Sequence, residues 1–471
     1  MTKYIPTIGI ECHVQLKTQT KLFSAVDNDA REAEPNSKVS VIDYALPGML
    51  PYLNREAVRL AARAAKALNA EVARVSRFDR KHYFYPDLPK GYQISQMYQP
   101  IILAGHVELP NGEKVRINHA HLEEDAGKLT HHGDHSEVDL NRAGTPLIEI
   151  VSEPDIHSAA DAKAFAKELY LLMTYAGVTH GDLYHGNMRF DVNTSVAPAG
   201  SNQLGTRSEV KNLNSFRSVE RAVEYEISRQ IELLENGEKV VQETRGWDDA
   251  KGQTTTQRSK ENAQDYRYMP DPDIPPVILD EDEVTAMQAD FPILPAEYRA
   301  KFVALKVDAS VLGAVLADQK MAAKLYKVLE TSTPDIARRI ANWFASVTPV
   351  DDENFIKFAL PASQNLVKLS EMVGAGQLSS TAGKEIFVEL LKKDADPETI
   401  AKSKNLLQVS DESAIEKIVD QVLESPAAAQ AVTDIRAGND KAIGFLVGLV
   451  MKESKGQANP GVVNKLIKTK L

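Results

Sequence analysis

Between residues 8 and 17 the chain reads Ile-Gly-Ile-Glu-Cys-His-Val-Gln-Leu-Lys. Ile8, Ile10, Cys12, Val14 and Leu16 alternate with Glu11, His13, Gln15 and Lys17. A period of two belongs to a β-strand with one face on a core and the other carrying every polar group. Glu11 and His13 are then neighbours on one face, a pairing suited to metal binding or acid–base work. Taken alone, it also suits a sheet face wet by solvent. The theme recurs. Met188, Phe190 and Val192 alternate with Arg189, Asp191, Asn193 and Ser195, and Arg207, Glu209 and Lys211 share one parity. Several such strands together point to a sheet whose second face lines a charged cleft.

Two further strands carry charge where a core strand should not. His119-Ala-His-Leu-Glu-Glu-Asp125 ends in three carboxylates, which must be solvated, paired or bound to a cation. Hard oxygen ligands of this kind suit Mg²⁺ beside phosphates; an exposed acidic turn is the alternative. Glu123 and Glu124 point to opposite faces, and the parity shared with Leu122 favours Glu124 as the inward one, with Glu123 open. Glu149 sits between Ile148 and Ile150. A lone buried carboxylate is costly, so it faces a polar cavity or pairs with a group such as Arg142. Mg²⁺ held by carboxylates, with Arg and Lys nearby, is a common way to hold a nucleotide's phosphates.

In segment 78–93 Phe78, Tyr83, Phe84, Tyr85 and Tyr92 interleave with basic groups, and Arg80, Lys81 and Lys90, with Arg77 just before the segment, outnumber Asp79 and Asp87. Such composition binds single-stranded nucleic acid or an RNA end, or packs as a loop across a sheet. Asn54 can cap a helix carrying Val58, Ala61, Ala62, Ala65 and Leu68. A longer helix is predicted over 215–237, with Phe216, Val219, Val223, Ile227, Ile231 and Leu234 on one face and Gly237 at its end. A proline-rich, acidic stretch from Pro270 to Pro295 punctuates the chain, and helical composition follows. A second break falls near 394–405. A last helix opens at Asn459-Pro460, with Val463, Leu466 and Ile467 on one face and Lys465, Lys468 and Lys470 solvated.

The 471 residues carry 55 Lys+Arg against 66 Asp+Glu, a formal charge of −11. That excludes indiscriminate coating of nucleic acid by charge. Yet 441–471 holds Lys441, Lys452, Lys455, Lys465, Lys468 and Lys470 against Glu453 alone. One cysteine, Cys12, rules out disulfide scaffolds and multi-cysteine zinc sites, and its apolar parity marks it as inert. The N-terminus lacks an apolar core of signal-peptide length and no stretch is long enough to span a membrane, so a cytoplasmic protein is expected. There is no Gly-Lys-Ser/Thr phosphate loop, no G-x-G-x-x-G and no G-x-S-x-G. If ammonia from an amide donor is used, it must be released on another protein.

At these residues the chain closely resembles the B subunit of the aspartyl/glutamyl-tRNA amidotransferase over nearly its whole length. The resemblance rests on IGIECHVQLKTQTKLFS (8–24), FDRKHYFYPDLPKGYQISQ (78–96), HLEEDAGK (121–128), NRAGTPLIEIVSEPD (141–155), TRSEVKNLNSFRSVERAVEYEISRQIELLE (206–235), QETRGWD (242–248), RSKENAQDYRYMPDPDIPP (258–276) and KAIGFLVGLVMKESKGQANPGVVNKLIKTKL (441–471).

The resemblance implies an α+β cradle with a fold like glutamine synthetase and guanido kinases over 1–293, a helical domain over 294–402 and a small tRNA-binding helical tail over 403–471. It implies ATP-dependent phosphorylation of the side-chain carboxylate of Glu-tRNA(Gln) and/or Asp-tRNA(Asn). Amidation would follow, with ammonia from the amidase partner of a heterotrimer, which a third, small partner bridges to this chain. Carried over, the Mg²⁺ site falls on Glu11, His13, Glu124 and Glu149, with Glu123 possible in place of Glu124. Glu124, Glu11 and Lys81 become the catalytic set. Arg207, Glu209 and Lys211 resemble the nucleotide and phosphate face. Lys81, His82, Tyr83 and Asp87 resemble the ammonia outlet and acceptor end, and Lys452, Lys455, Lys465, Lys468 and Lys470 the tRNA contact. Many members carry a four-cysteine zinc knuckle; the corresponding positions here include Val26, Ser40 and Asp43, so no zinc is expected. Two rivals stay open: a stand-alone ammonia ligase acting on free glutamate, and a non-catalytic tRNA-binding scaffold.

Overall fold

A computed structural model describes residues 4–259, 265–347, 359–408, 412–436, 440–454 and 458–471. The chain forms two compact units, Met1–Glu297 and Tyr298–Leu471. The first holds strands β1 (Tyr4–Gln15), β2 (Val75–Ser76), β3 (Asp79–His82), β4 (Tyr92–Ser95), β5 (Gly105–Glu108), β6 (Lys114–Glu124), β7 (Lys128–His131), β8 (Ser136–Asp139), β9 (Pro146–Ser152), β10 (Met188–Pro198), β11 (Ser208–Leu213), β12 (Glu243–Asp248) and β13 (Gln253–Ser259). Its three longest helices are α1 (Arg55–Ala67), α2 (Ala159–Tyr175) and α3 (Phe216–Glu235).

Eight strands make one sheet in the order β13-β12-β11-β10-β1-β9-β6-β5. Every neighbouring pair is antiparallel except β11–β12. β1, whose alternation is the clearest in the sequence, lies near the middle. Its apolar face (Ile8, Ile10, Cys12, Val14) is buried with Leu122, Ile148, Ile150, Phe190, Val192 and Val210. Helices α1, α2 and α3 cover that side with Leu60, Phe165, Leu169, Val219 and Val223. The other face is left for polar groups.

The helix signals act locally as the sequence predicts. The Asn54 side chain accepts the Glu56 N–H at the start of α1, and Ser215 accepts the Ser218 N–H at the start of α3. Gly237 follows α3 with φ +77, a left-handed position that glycine takes at little cost. The second half of α3 departs from expectation. Ile227 and Ile231 are both only partly buried, while Glu226 and Gln230 are fully buried. The reason is a charge network: Glu226 lies 2.8 Å from Arg229 and 3.0 Å from Arg245, accepts from Thr254, and Arg245 also pairs with Glu243. Buried charges survive only when paired in this way.

The acidic run after Asp280 is a capping box, in which Asp280 and Glu283 satisfy one another's backbone N–H groups at the start of a helix over Glu281–Met287. The stretch near 394–405 contains a short helix, Pro397–Ser403, capped by Asp396. In the second unit a helical cluster closes around Ile415, Val419, Leu446, Val450, Val463 and Ile467. Asn459 caps the final helix, Pro460–Lys470, as its Asn-Pro start requires. Among the described residues no helix is long and apolar enough to cross a membrane.

Candidate active site on the polar sheet face

Strand register decides which polar side chains meet. Arg189, His13, Glu149 and His121 stand opposite one another in a row across β10, β1, β9 and β6, and Asp191 stands opposite Glu11. Paired residues in a sheet project on the same side. The polar face therefore collects Glu209 and Lys211 from β11, Arg189, Asp191 and Asn193 from β10, Glu11 and His13 from β1, Glu149 from β9, and His121 and Glu123 from β6.

Two groups on this face bring their ligand atoms within 4.8 Å of one another: His13, Glu123 and Glu149; and Glu11, Asp191 and Glu209. His13 Nδ1 lies 3.3 Å from Glu123 and 4.0 Å from Glu149, and His13 Nε2 lies 4.0 Å from Asp191, so this imidazole spans both groups. The 3.3 Å approach is misaligned, and His13 Nδ1, like His121 Nδ1, is a buried atom without a hydrogen-bond partner. His121 Nε2 lies 3.4 Å from Glu149 and 3.8 Å from Glu123. Lys211 bridges Asp191 at 2.9 Å and Glu209 at 2.8 Å, and Asn193 donates to Glu11 at 3.0 Å.

The electrostatics follow. Burial opposes the His13 and His121 cations, but the adjoining Glu123 and Glu149 outweigh it and hold the two imidazoles up at about 9 and about 10. Burial likewise opposes a charge on Glu123, and the two imidazoles overcome it, holding that carboxyl well below its ordinary range. Glu11 goes the other way: burial, then Glu149 and Glu209, push its carboxyl up. Burial pushes up the Cys12 thiol on the opposite side of β1.

Beside Glu11 lies a cavity of about 440 Å³, lined also by Asn193, Ser195, Gly205 and the exposed Arg207. A Cβ on Gly205 would overlap the Val196 backbone, so this wall requires glycine. On the other side, a small sheet carries Lys81. Burial opposes its charge, and Glu123, Tyr268 and Glu149 outweigh it and raise its pKa. The ammonium sits 5.0 Å over the Tyr266 ring. Tyr83 is pushed up by burial, then by Glu123 and Asp87. Asp87 is itself raised by burial and keeps one buried oxygen without a partner. His82 turns to the Arg267 carbonyl at 2.9 Å.

The family model described as the GatB/GatE catalytic domain matches residues 6–285, and that described as the GatB domain matches 328–471. B subunits of aspartyl/glutamyl-tRNA(Asn/Gln) amidotransferases are similar end to end. The one from Alkalilimnicola ehrlichii is 45% identical over 98% of each chain. That of Persephonella marina is 43% identical over 99% of each, and that of Coxiella burnetii 44% over 99% of each. The chain belongs to the B-subunit family of the aspartyl/glutamyl-tRNA(Asn/Gln) amidotransferases.

In this amidotransferase protein the site departs from the preferred sequence reading at Glu124 and settles what that reading left open at Glu149. Glu123, not Glu124, is the carboxylate that β6 brings to His13. Glu124 shares the parity of Ala120 and Leu122, which is the core side, and its carboxylate is taken by Lys90 at 2.5 and 2.6 Å and by the Ile94 N–H at 2.9 Å. Of the two alternatives for Glu149, it faces the polar side of the sheet, where it meets His121, and Arg142 instead holds the Ala126 and Gly127 carbonyls and Asp125. His121 joins the site without having been singled out by the sequence reading, although its parity with His119 and Glu123 is visible there. In the tail, Lys470 is partly exposed and already ion-paired, to Glu416 at 2.8 Å and Asp420 at 2.7 Å. Lys452, Lys465 and Lys468 are exposed, and Lys455 lies outside the described residues.

Proposed function

We propose that the polar sheet face is where ATP phosphorylates the side-chain carboxylate of Glu-tRNA(Gln), Asp-tRNA(Asn) or both, after which ammonia displaces the phosphate to leave the amide. The chain is part of a tRNA-dependent amidotransferase, a ligase that forms a carbon–nitrogen bond. One observation carries the assignment of place: two carboxylate groups flank β1 on the same face, within reach of His13, Lys211 and Lys81 and next to the Arg207 cavity.

The donor set fits divalent cations. Five carboxylates and one imidazole converge, and two buried imidazole nitrogens lack partners. Glu123, Glu149 and His13 would hold one Mg²⁺, and Glu11, Asp191 and Glu209 a second. Bound there, Mg²⁺ neutralises phosphate charge and polarises the transferred phosphoryl group. The chain's own groups do the remainder. Arg207, exposed at the cavity, binds phosphate oxygens. Lys211 moves from its two carboxylates onto the nucleotide. Lys81 offsets the charge of the acyl phosphate, and His82, Tyr83 and Asp87 border the acceptor end and the ammonia outlet.

Zinc does not fit. At the knuckle positions, the Asp43 carboxylate is already engaged by Lys21 at 3.2 Å, Ser24 at 3.2 Å and the Ser40 N–H at 2.8 Å, and Cys12 is buried in β1. We read the sheet unit as the glutamine synthetase-like cradle, 294–402 as the helical domain and 403–471 as the tail. That tail would present Lys452, Lys455, Lys465 and Lys468 to tRNA. An amidase partner and a small bridging partner complete the heterotrimer.

The test is amidation by the chain co-purified with its partners, using ATP and glutamine with Glu-tRNA and Asp-tRNA. Transfer of ³²P from ATP to the aminoacyl group is expected before amide appears. Tight tRNA binding with no ATP consumed would favour the scaffold reading, and activity on free glutamate without partners would favour the stand-alone ligase.

A further inference from the structure

We propose that the β7–β8 hairpin tip is a surface site for a borderline divalent cation such as Zn²⁺, Ni²⁺ or Cu²⁺, with His132, His135 and Glu137 as its ligands. The hairpin pairs Thr130 with Glu137 and His131 with Ser136, and the His132 N–H closes the turn on the His135 carbonyl at 2.8 Å. His132 and His135 are therefore the two ends of a tight turn, and Glu137, two residues beyond His135, shares its side of the strand.

Their ligand atoms lie within 4.8 Å of one another, although the three side chains are 44%, 59% and 71% exposed. The two imidazoles stack at 4.8 Å, and His132 Nε2 lies 3.4 Å from Glu137 Oε2. Zn²⁺ binds nitrogen and oxygen at about 2.0–2.2 Å, so tetrahedral donors stand roughly 3.4 Å apart and modest side-chain rotations close the set. The outer contact is also in place. His135 Nδ1 rests on Asp134 Oδ1 at 2.8 Å, which fixes the tautomer and leaves Nε2 for the ion. Two imidazoles and one carboxylate select a borderline cation over Mg²⁺. This donor set differs in kind from the carboxylate-rich sheet face and shares no residue with it.

The test titrates the metal-free full chain with Zn²⁺ alone, against a chromophoric chelator, and records Cu²⁺ electron paramagnetic resonance for nitrogen ligation. Wild type and Glu123→Gln should both show the hairpin site. His132→Gln/His135→Gln should lose it, with an unchanged circular dichroism spectrum, and Asp134→Asn should weaken it by about tenfold. A Zn²⁺ titration of the double variant that superimposes on wild type would overturn the proposal, as would a Cu²⁺ spectrum without nitrogen ligation that the double variant leaves unchanged.

Discussion

His13 on β1 and Glu149 on β9 stand directly opposite one another in the sheet, with His13 Nδ1 4.0 Å from Glu149 Oε2. Two chain segments far apart in sequence are thus held in one row by backbone hydrogen bonds, and the side chains need no loop to position them. Sites on strands are better fixed than sites on loops, and reaction rates respond to small misplacements.

Glu123→Gln should lower ³²P transfer to Glu-tRNA by about a hundredfold while the fold persists, because it removes one charge from the phosphate-facing group. Glu124→Gln should act differently. It strands Lys90 in a largely buried position, and losing a buried partner costs about 3–5 kcal/mol. Its deficit should appear first in urea denaturation. Normal stability in Glu124→Gln together with normal transfer in Glu123→Gln would reverse the two assignments.

The pH dependence is set by His13 and His121. Both imidazoles bind a proton more tightly in the folded, metal-free chain, at about 9 and 10 against an ordinary 6.5. Their contribution to stability is full below 6.5 and is lost as pH rises through those folded values. The Tm of the metal-free protein should fall across that window, and less steeply in His13→Asn. A cation on the same groups must displace a proton, so Mg²⁺ affinity should rise over the window, with proton release measurable by calorimetry in two buffers. A pH-independent affinity would remove His13 from the site.

Arg207→Ala should raise the KM for ATP by about tenfold, the worth of one charge-assisted phosphate contact, and leave Tm unchanged. Arg207 is exposed and packs no core, so a fall in Tm without a change in KM would contradict its place on the cavity wall.

Arg245→Met removes the group that joins Glu226 and Glu243 beneath the outer strands. Glu226 keeps Arg229 at 2.8 Å, but Glu243 is left with Arg229 only at 3.8 Å, so the cost should be about 1–3 kcal/mol in urea denaturation. Arg245 stands opposite the core residue Val210, on the side of the sheet away from the carboxylate groups, so the remaining folded fraction should keep its KM for ATP.

In the tail, Lys468→Ala should weaken tRNA binding and reduce the salt slope by about one. Lys470→Ala should leave that slope unchanged, because its ammonium already serves Glu416 and Asp420. Equal slopes for the two variants would show that the exposed face of the last helix does not meet the tRNA backbone.

Strand β1 is legible in the sequence because one of its faces is wholly apolar, and a period of two then dictates where Glu11 and His13 point. Glu123 and Glu124 are not. Parity separates them but does not say which side is core, a bulge between Ile117 and His119 breaks the alternation upstream, and the partner that neutralises Glu124 comes from Lys90, 34 residues away. Glu226 and Gln230 stay hidden for a related reason: a helix face reads as polar in the sequence whether water or a distant arginine satisfies it. The caps at Asn54, Ser215 and Asn459 are readable because their bonds span two or three residues. His121 is readable in principle, since it shares parity with both His119 and Glu123.

Cys12 makes the central strand its own reporter. It is the chain's one thiol, wholly buried on the core side of β1 between Glu11 and His13, with a raised pKa that disfavours the thiolate. A thiol reagent can reach it only when the core behind β1, the strand that adds one member to each metal-ligating group, opens. The rate of its labelling in native buffer is therefore a clock for opening of the core that backs the active centre, and any ligand that steadies the sheet should slow it.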